Sequence, residues 1–221
     1  MPFARRGYHH GQLRAALLHA ARNLLRERGT GAFSLADAAK LAGVSPAAPY
    51  RHFRDREALL GAVARDGFTL FSARLAEARQ GHADPRDAFA AMGRAYLAFA
   101  RDEPGLYAAM FSEDAPLDEE GRAEAGKAFM QLVDGVSAVL AAATGQTGAP
   151  APDPLPIALQ VWAMSHGVAG IWRNGRQPGA APDPEKLLFD GVSALIEGAV
   201  RAAQRRPVRV GLWNQPPDET R

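Results

Sequence analysis

Cysteine is absent from all 221 residues. That excludes a disulfide framework, a thiolate nucleophile and any zinc site built on sulfur. Long apolar runs are absent as well. No stretch approaches the ~20 uncharged apolar residues of a membrane-spanning helix, and the opening MPFARRGYHHGQ lacks the apolar core of a secretory signal. A soluble cytoplasmic protein is the expectation. Also missing are period-2 strand patterns, a glycine loop able to cradle phosphate, a recognisable nucleophile–base pair and a cluster of metal ligands. His9 and His10 are adjacent but have no third ligand nearby, which is too little for a metal centre. Neither a metal nor a cofactor is expected, and the chain does not read as an enzyme.

What is present suffices for a sizeable core, since 47% of residues are hydrophobic. Charge is unevenly spread. Through Arg56 there are ten Lys/Arg against three Asp/Glu, a net of +7; afterwards there are 16 against 21, a net of −5. A basic first quarter on an acidic remainder points to an anionic partner for the first part only.

The chain reads as helix throughout. Asp84-Pro85, Asp153-Pro154 and Asp183-Pro184 each place a capping carboxylate before a proline. Proline suits the first helical position because its missing N–H would be unpaired there anyway. Gly29, Gly43, Gly81, Gly145 and Gly175 mark stops. Nine helices are predicted, over 10–28, 35–42, 46–53, 56–80, 85–101, 104–111, 119–144, 155–174 and 184–205. Residues 206–221, including Trp213, read as a mobile tail.

The first three predicted helices form a unit. Leu13, Leu17, Ala20, Ala21, Leu24 and Leu25 make one apolar stripe, with Arg14, Arg22 and Arg26 elsewhere on the surface. Ser34 and Asp37 form a capping-box-like pair. Two short helices joined by a glycine-containing turn is the helix-turn-helix pattern. The second of them is VSPAAPYRHF, residues 44–53. Ser45 would cap it and Pro46 would be its first helical residue. Pro49 lacks the N–H that the Ser45 carbonyl would accept, so a loosened or bent first turn is expected, with a loop as the alternative. A recognition helix offers its N-terminal residues to base edges. Pro46, Ala47 and Ala48, with Pro49 next to them, would approach bases and contact thymine methyl groups. Tyr50, Arg51, His52 and Arg56 would donate to phosphates. Phe53 would anchor the segment inward. Arg5 and Arg6 read as a basic arm for the minor groove.

At these residues the chain resembles a known family. FSLADAAKLAGVSPAAPYRHFRDREALLGAV, residues 33–63, is similar to the helix-turn-helix of the TetR family of bacterial transcriptional regulators. The Gly-Val-Ser turn, Tyr-x-His-Phe and x-Asp-Arg-Glu-Ala-Leu-Leu carry the likeness. The family usually has an aliphatic residue where Pro49 stands, and often Lys where Arg56 stands. ARDEPGLYAAMF (100–111) and WAMSHGVAG (162–170) look like a C-terminal domain type with a Trp-x-x-x-His-Gly motif. The resemblance implies an all-α homodimer on a double-stranded DNA operator. It implies a reading domain over 1–55, with Tyr8, Ser34 and Ser45 joining the DNA contacts, and a regulatory and dimerisation domain over 56–205. It also implies a small-molecule pocket whose filling shifts the two reading heads and releases DNA.

The residues of the second part can be read on their own. Ala163, Gly167 and Gly170 share a helix face, as do Gly191, Ala194 and Gly198. Glycine costs ~1 kcal/mol in a solvated helix, so a close helix contact is expected, between subunits or within one. Met92, Tyr96, Tyr107, Phe111, Phe129, Trp162 and His166 are the candidate effector contacts; a plain core is the alternative. His166 lies one turn from Trp162, and the polar tips of Tyr96, Tyr107 and Trp162 need partners if buried. The leading reading is a repressor released by a small apolar or aromatic effector. A helical-bundle enzyme and an interaction module without DNA binding are the alternatives.

Overall fold

The predicted caps form. Asp84 accepts from the Arg86 N–H at 2.8 Å, Asp153 from Leu155 at 3.0 Å, and Asp183 from Glu185 at 2.9 Å. Ser34 and Asp37 make the full capping box, and Asp55 accepts from Ala58 at 2.7 Å. Each such cap contributes on the order of 1 kcal/mol. The computed structural model describes residues 10–204 except 32, 146–150, 174 and 176. Within them lie eight α-helices: α1 (His10–Arg28), α2 (Leu35–Leu41), α3 (Arg56–Arg79), α4 (Pro85–Asp102), α5 (Pro104–Met110), α6 (Glu119–Gly145), α7 (Pro154–Arg173) and α8 (Pro184–Gln204). Among the described residues there is no strand. The expected tail at 206–221 lies outside them.

One expected helix is corrected. Residues 46–53 are not α-helical; they hold a single 3-10 turn, Pro49–Arg51. The cause is the proline. With no N–H on Pro49, the Ser45 carbonyl takes the Ala48 N–H at 3.0 Å, an i→i+3 bond. The cap of the turn is Ala48, with no side-chain cap bond, rather than Ser45. The Pro49 ring is among the fully buried side chains, so it anchors the segment and does not face outward.

Two apolar clusters organise the body. The first joins Leu17 and Leu24 of α1, Leu35 of α2, Phe53 just before α3, Leu59 and Val63 at the start of α3, and Leu106 and Tyr107 of α5. The start of α3 therefore packs with the segments on both sides of residue 55. The second cluster joins Val136 and Leu140 of α6, Ile157 and Val161 of α7, and Leu188 and Val192 of α8. Helix α6 is long and apolar enough to cross a membrane by length and composition. Here it packs on α3, α4, α7 and α8 and buries Val133, Val136, Val139 and Leu140 in the protein.

Candidate functional site

The candidate DNA-facing segment starts at Gly43, whose φ of +70° turns the chain out of α2. Val44 follows, its N–H on the Ala39 carbonyl at 3.0 Å. Ser45, Pro46, Ala47, Tyr50 and Arg51 are exposed, and Ala48 and His52 are half-buried. Tyr50 is 63% exposed, far from the usual state of a tyrosine beside a core. Beneath them Pro49 and Phe53 are buried, with the Arg14 guanidinium 5.6 Å from the Phe53 ring centre. The result is a small, apolar, exposed tip flanked by a phenol and a guanidinium. Arg5, Arg6 and Tyr8 lie outside the described residues.

Two members of the proposed DNA-contact set are otherwise engaged. Ser34 is exposed, but its hydroxyl donates to Asp37 at 2.6 Å and accepts from the Asp37 N–H at 3.1 Å. The Ser34 hydroxyl and the Ser34 backbone N–H, which donates to the same carboxyl at 2.9 Å, hold Asp37 below the usual carboxylate range. Arg56 turns inward. Its guanidinium donates to the Phe33 carbonyl at 3.1 Å and to the Thr30 carbonyl. It lies over the Phe33 ring at 5.3 Å and pairs with Glu57 at 3.2 Å and Asp114 at 3.7 Å. With its side chain only 21% exposed, Arg56 ties the α1–α2 connection to α3 and does not join the exposed surface of Tyr50 and Arg51. The acceptors it uses are 23 and 26 residues away, so nothing local in the sequence announces them.

A cavity of about 970 Å³, partly open to solvent, lies at the seam of the two clusters. This is at the upper end of the ~300–1,000 Å³ usual for small-molecule sites. Met92, Tyr96, Phe111, Phe129 and Trp162 line it as expected. Phe68, Phe71, Val139, Leu188, Val192 and Ile196 also line it and escaped sequence reading, because plain apolar residues carry no mark of a cavity. Tyr107 and His166 are not in the lining; they stand directly behind Tyr96. The Tyr96 and Tyr107 hydroxyls are 3.1 Å apart, and His166 Nδ1 is 2.9 Å from Tyr107 and 3.4 Å from Tyr96. Burial pushes both phenols up and the imidazole down, the last helped by the Arg173 charge. Arg173 sits 5.4 Å from the Tyr107 ring centre.

Helix α5 links the cavity to α1. It carries Tyr107, and Phe111 closes its end. Its cap residue Glu103 bridges Arg22 of α1 at 3.0 Å and Arg74 of α3 at 3.1 Å. Gly105 lets α5 press on the α1 backbone: a Cβ there would stand 2.6 Å from the Arg22 carbonyl oxygen. Beyond Phe111 the connection to α6 lies on α3. A Cβ at Gly61 would collide with the Pro116 carbonyl, and Arg65 pairs with Asp118 at 3.0 Å and Glu120 at 2.7 Å.

The small-residue faces of α7 and α8 are open. Nothing lies within 4 Å of a Cβ built on Gly167, Gly170 or Gly198, and Ala194 is exposed. Gly191 differs, since its Cβ would meet Met164 of the same chain. Leu155, Leu159, Trp162 and Ile171 of α7 and Leu187 of α8 are exposed on the same pair of helices. No group of metal-ligating side chains occurs among the described residues.

Comparison with known proteins follows this division. A model described as bacterial regulatory proteins, tetR family, matches residues 17–63, and one described as tetracyclin repressor-like, C-terminal domain, matches 89–195. A Rhodococcus sp. RHA1 protein of unknown function is 32% identical, with 89% of this chain and 100% of that one covered and a TM-score of 0.71. The TetR family transcriptional regulator PfmR from Thermus thermophilus is 20% identical over 82% of this chain and 97% of its own, TM-score 0.61. AibR in complex with isovaleryl coenzyme A and operator DNA is 23% identical over 83% and 98%, TM-score 0.59. No curated protein matches significantly.

Proposed function

Because the chain belongs to the TetR family, a group of ligand-responsive DNA-binding transcriptional regulators and not of enzymes, we propose that it is a cytoplasmic homodimeric repressor. It holds an inverted-repeat operator and lets go when a small apolar or aromatic effector fills the cavity. The observation that carries this reading is the junction of α5: one short helix touches the cavity through Met110 and the Phe111 that closes it, and touches α1 through Gly105 and Glu103.

In this reading Pro46, Ala47 and Ala48 meet base edges, and Tyr50, Arg51 and His52 set the register on phosphates. Ser34 and Ser45 stand at the rim of the same surface, and Arg5, Arg6 and Tyr8 extend it. Arg56 serves by holding the α1–α2 connection in place. Dimerisation buries the open faces of α7 and α8 around Gly167, Gly170, Ala194 and Gly198, while Gly191 serves the contact with Met164 within the chain. The exposed leucines, Trp162 and Ile171 favour this over packing within one chain, because single-chain packing leaves them in water. Two reading heads would then meet half-sites about 34–36 Å apart, or a multiple of that.

The test is selection of bound duplexes from a random pool by purified protein, followed by release with a library of apolar compounds. A palindromic consensus bound by dimer, and release by compounds that bind the cavity, are expected. Recovery of no sequence preference, or tight operator binding by a sedimenting monomer, would contradict the proposal.

A further inference from the structure

The ionisable side chains of the cavity lining stand at its two ends, and the ends differ in kind; the serines Ser165 and Ser193 also line it, the Ser165 hydroxyl donating to the Val161 carbonyl at 2.9 Å. At the outer end stand Arg86 and Asp87 from the first turn of α4, with Glu197 and Arg201 from the last turns of α8. Glu197 and Arg201 pair at 2.5 Å. At the inner end stands Tyr96, ten residues beyond Arg86 on α4 and so about 15 Å away by helical rise. The wall between is mostly apolar, with Phe89, Met92, Phe129 and Val192 among its residues, and it carries no charge. No other ionisable side chain lines the cavity among the described residues.

Behind Tyr96 the hydrogen bonds form a line whose direction depends on one proton. If His166 carries its proton on Nε2, Tyr107 donates to Nδ1 and Tyr96 donates to Tyr107. The Tyr96 oxygen then offers the cavity only lone pairs. If the proton sits on Nδ1, His166 donates to Tyr107, Tyr107 donates to Tyr96, and the Tyr96 O–H is free to donate into the cavity. Either order satisfies Tyr107, which is only 2% exposed. Either order also leaves one hydrogen-bonding position at the inner end. With both phenols pushed up and the imidazole pushed down, the line is neutral at pH 7. A carboxylate or ammonium brought there would lose its hydration without meeting a countercharge in the lining. An uncharged oxygen loses far less, and Tyr96 can pair with it as donor or acceptor.

We propose that the effector is an elongated, largely hydrocarbon molecule that enters with an uncharged oxygen function leading, a hydroxyl or a carbonyl. Tyr96 receives that group, His166 sets the polarity of the line behind it, and any charged group of the ligand stays at the outer end with Arg86 and Arg201. This rests on the reading of the cavity as an effector site. It adds the chemical class of the ligand and its orientation.

The test is calorimetric titration of the full-length protein with decan-1-ol, decan-2-one and decanoate, in the wild type, Tyr96→Phe and Arg201→Gln. Tyr96→Phe removes one oxygen and keeps the ring, so the fold should survive. It should weaken decan-1-ol and decan-2-one by about three- to tenfold, the worth of one net hydrogen bond, and leave decanoate unchanged. Arg201→Gln should weaken decanoate alone. The proposal is overturned if Tyr96→Phe weakens decanoate as much as the neutral pair, if it weakens none of the three, or if none of the three binds the wild type. Separately, decan-1-ol that binds as expected yet leaves the protein–duplex complex intact would count against the regulatory reading. It would not count against the polar end assigned to Tyr96.

Discussion

Gly105→Ala tests whether the α1–α5 contact sets the position of the reading unit. The added methyl carbon would stand 2.6 Å from the Arg22 carbonyl oxygen, 3.1 Å from the Arg26 nitrogen and 3.4 Å from Leu25 Cβ. The first two are backbone atoms of α1 and cannot rotate aside, so α1 and α5 must separate. Overpacking of this kind costs ~1–3 kcal/mol. Helix propensity favours alanine, so a net loss reports the clash. Gly126→Ala in α6 is the matched control, because nothing lies within 4 Å of its Cβ; it should gain up to ~1 kcal/mol. At about 2–4 °C per kcal/mol for a chain of this size, Gly105→Ala should lower the midpoint of a circular-dichroism melt by roughly 2–12 °C, and Gly126→Ala should raise it slightly. A total stability of ~5–15 kcal/mol keeps both variants folded at 25 °C. A drop in affinity for the selected duplex in Gly105→Ala would therefore report a displaced reading unit. Gly105→Ala melting like the control, or melting lower with operator affinity intact, would refute the reasoning.

Other substitutions separate the parts of the site. Arg51→Ala should weaken specific and scrambled duplexes alike and make the salt dependence shallower by about one, whereas Arg56→Ala should lower the melting midpoint and leave the salt slope nearly unchanged; equal slopes in the two variants would contradict the inward placement of Arg56. Ala47→Gln should alter operator preference by ~1–3 kcal/mol at one base pair, and uniform weakening across all duplexes would show that Ala47 does not face bases. Gly167→Leu should shift sedimentation toward monomer with little change in monomer melting, since its Cβ meets open space; an unchanged dimer would remove that face from the interface. Burial and the Arg173 charge hold His166 below its usual value, so the unfolded chain takes up the proton first as pH falls, and stability declines below about pH 6.5. His166→Gln should flatten that part of a plot of Tm against pH, and an unaltered plot would exclude His166 as its source.

Most helix ends were legible because capping is local chemistry. Asp84, Asp153 and Asp183 each sit one residue before a proline, and α4, α7 and α8 start at those prolines. Phe53 is buried as its position implied. The stretch 46–53 resembles a helix in sequence and is not one for a reason that is also local: Pro46 and Pro49 both suit a first turn, but the second removes the bond that would extend it. The burial of the Pro49 ring and the inward turn of Arg56 were not legible. Both depend on groups distant in sequence, and proline and arginine are ordinarily exposed. The cavity was half legible. Aromatic and methionine residues pointed to α4, α5, α6 and α7, but its α8 wall of Leu188, Val192 and Ile196 reads as ordinary core. Tyr107 and His166, aromatic and polar-tipped like true contacts, stand one layer behind the lining.

The central claim is that filling the cavity loosens the grip on DNA. The most direct measurement is the anisotropy of a labelled, selected duplex held by the protein, followed as a cavity-binding compound is added, for the wild type and Phe111→Ala. The account predicts release in the wild type, and in Phe111→Ala comparable duplex affinity without the compound but a blunted release. Binding of the compound with no change in duplex affinity, or equal release in both proteins, would contradict it.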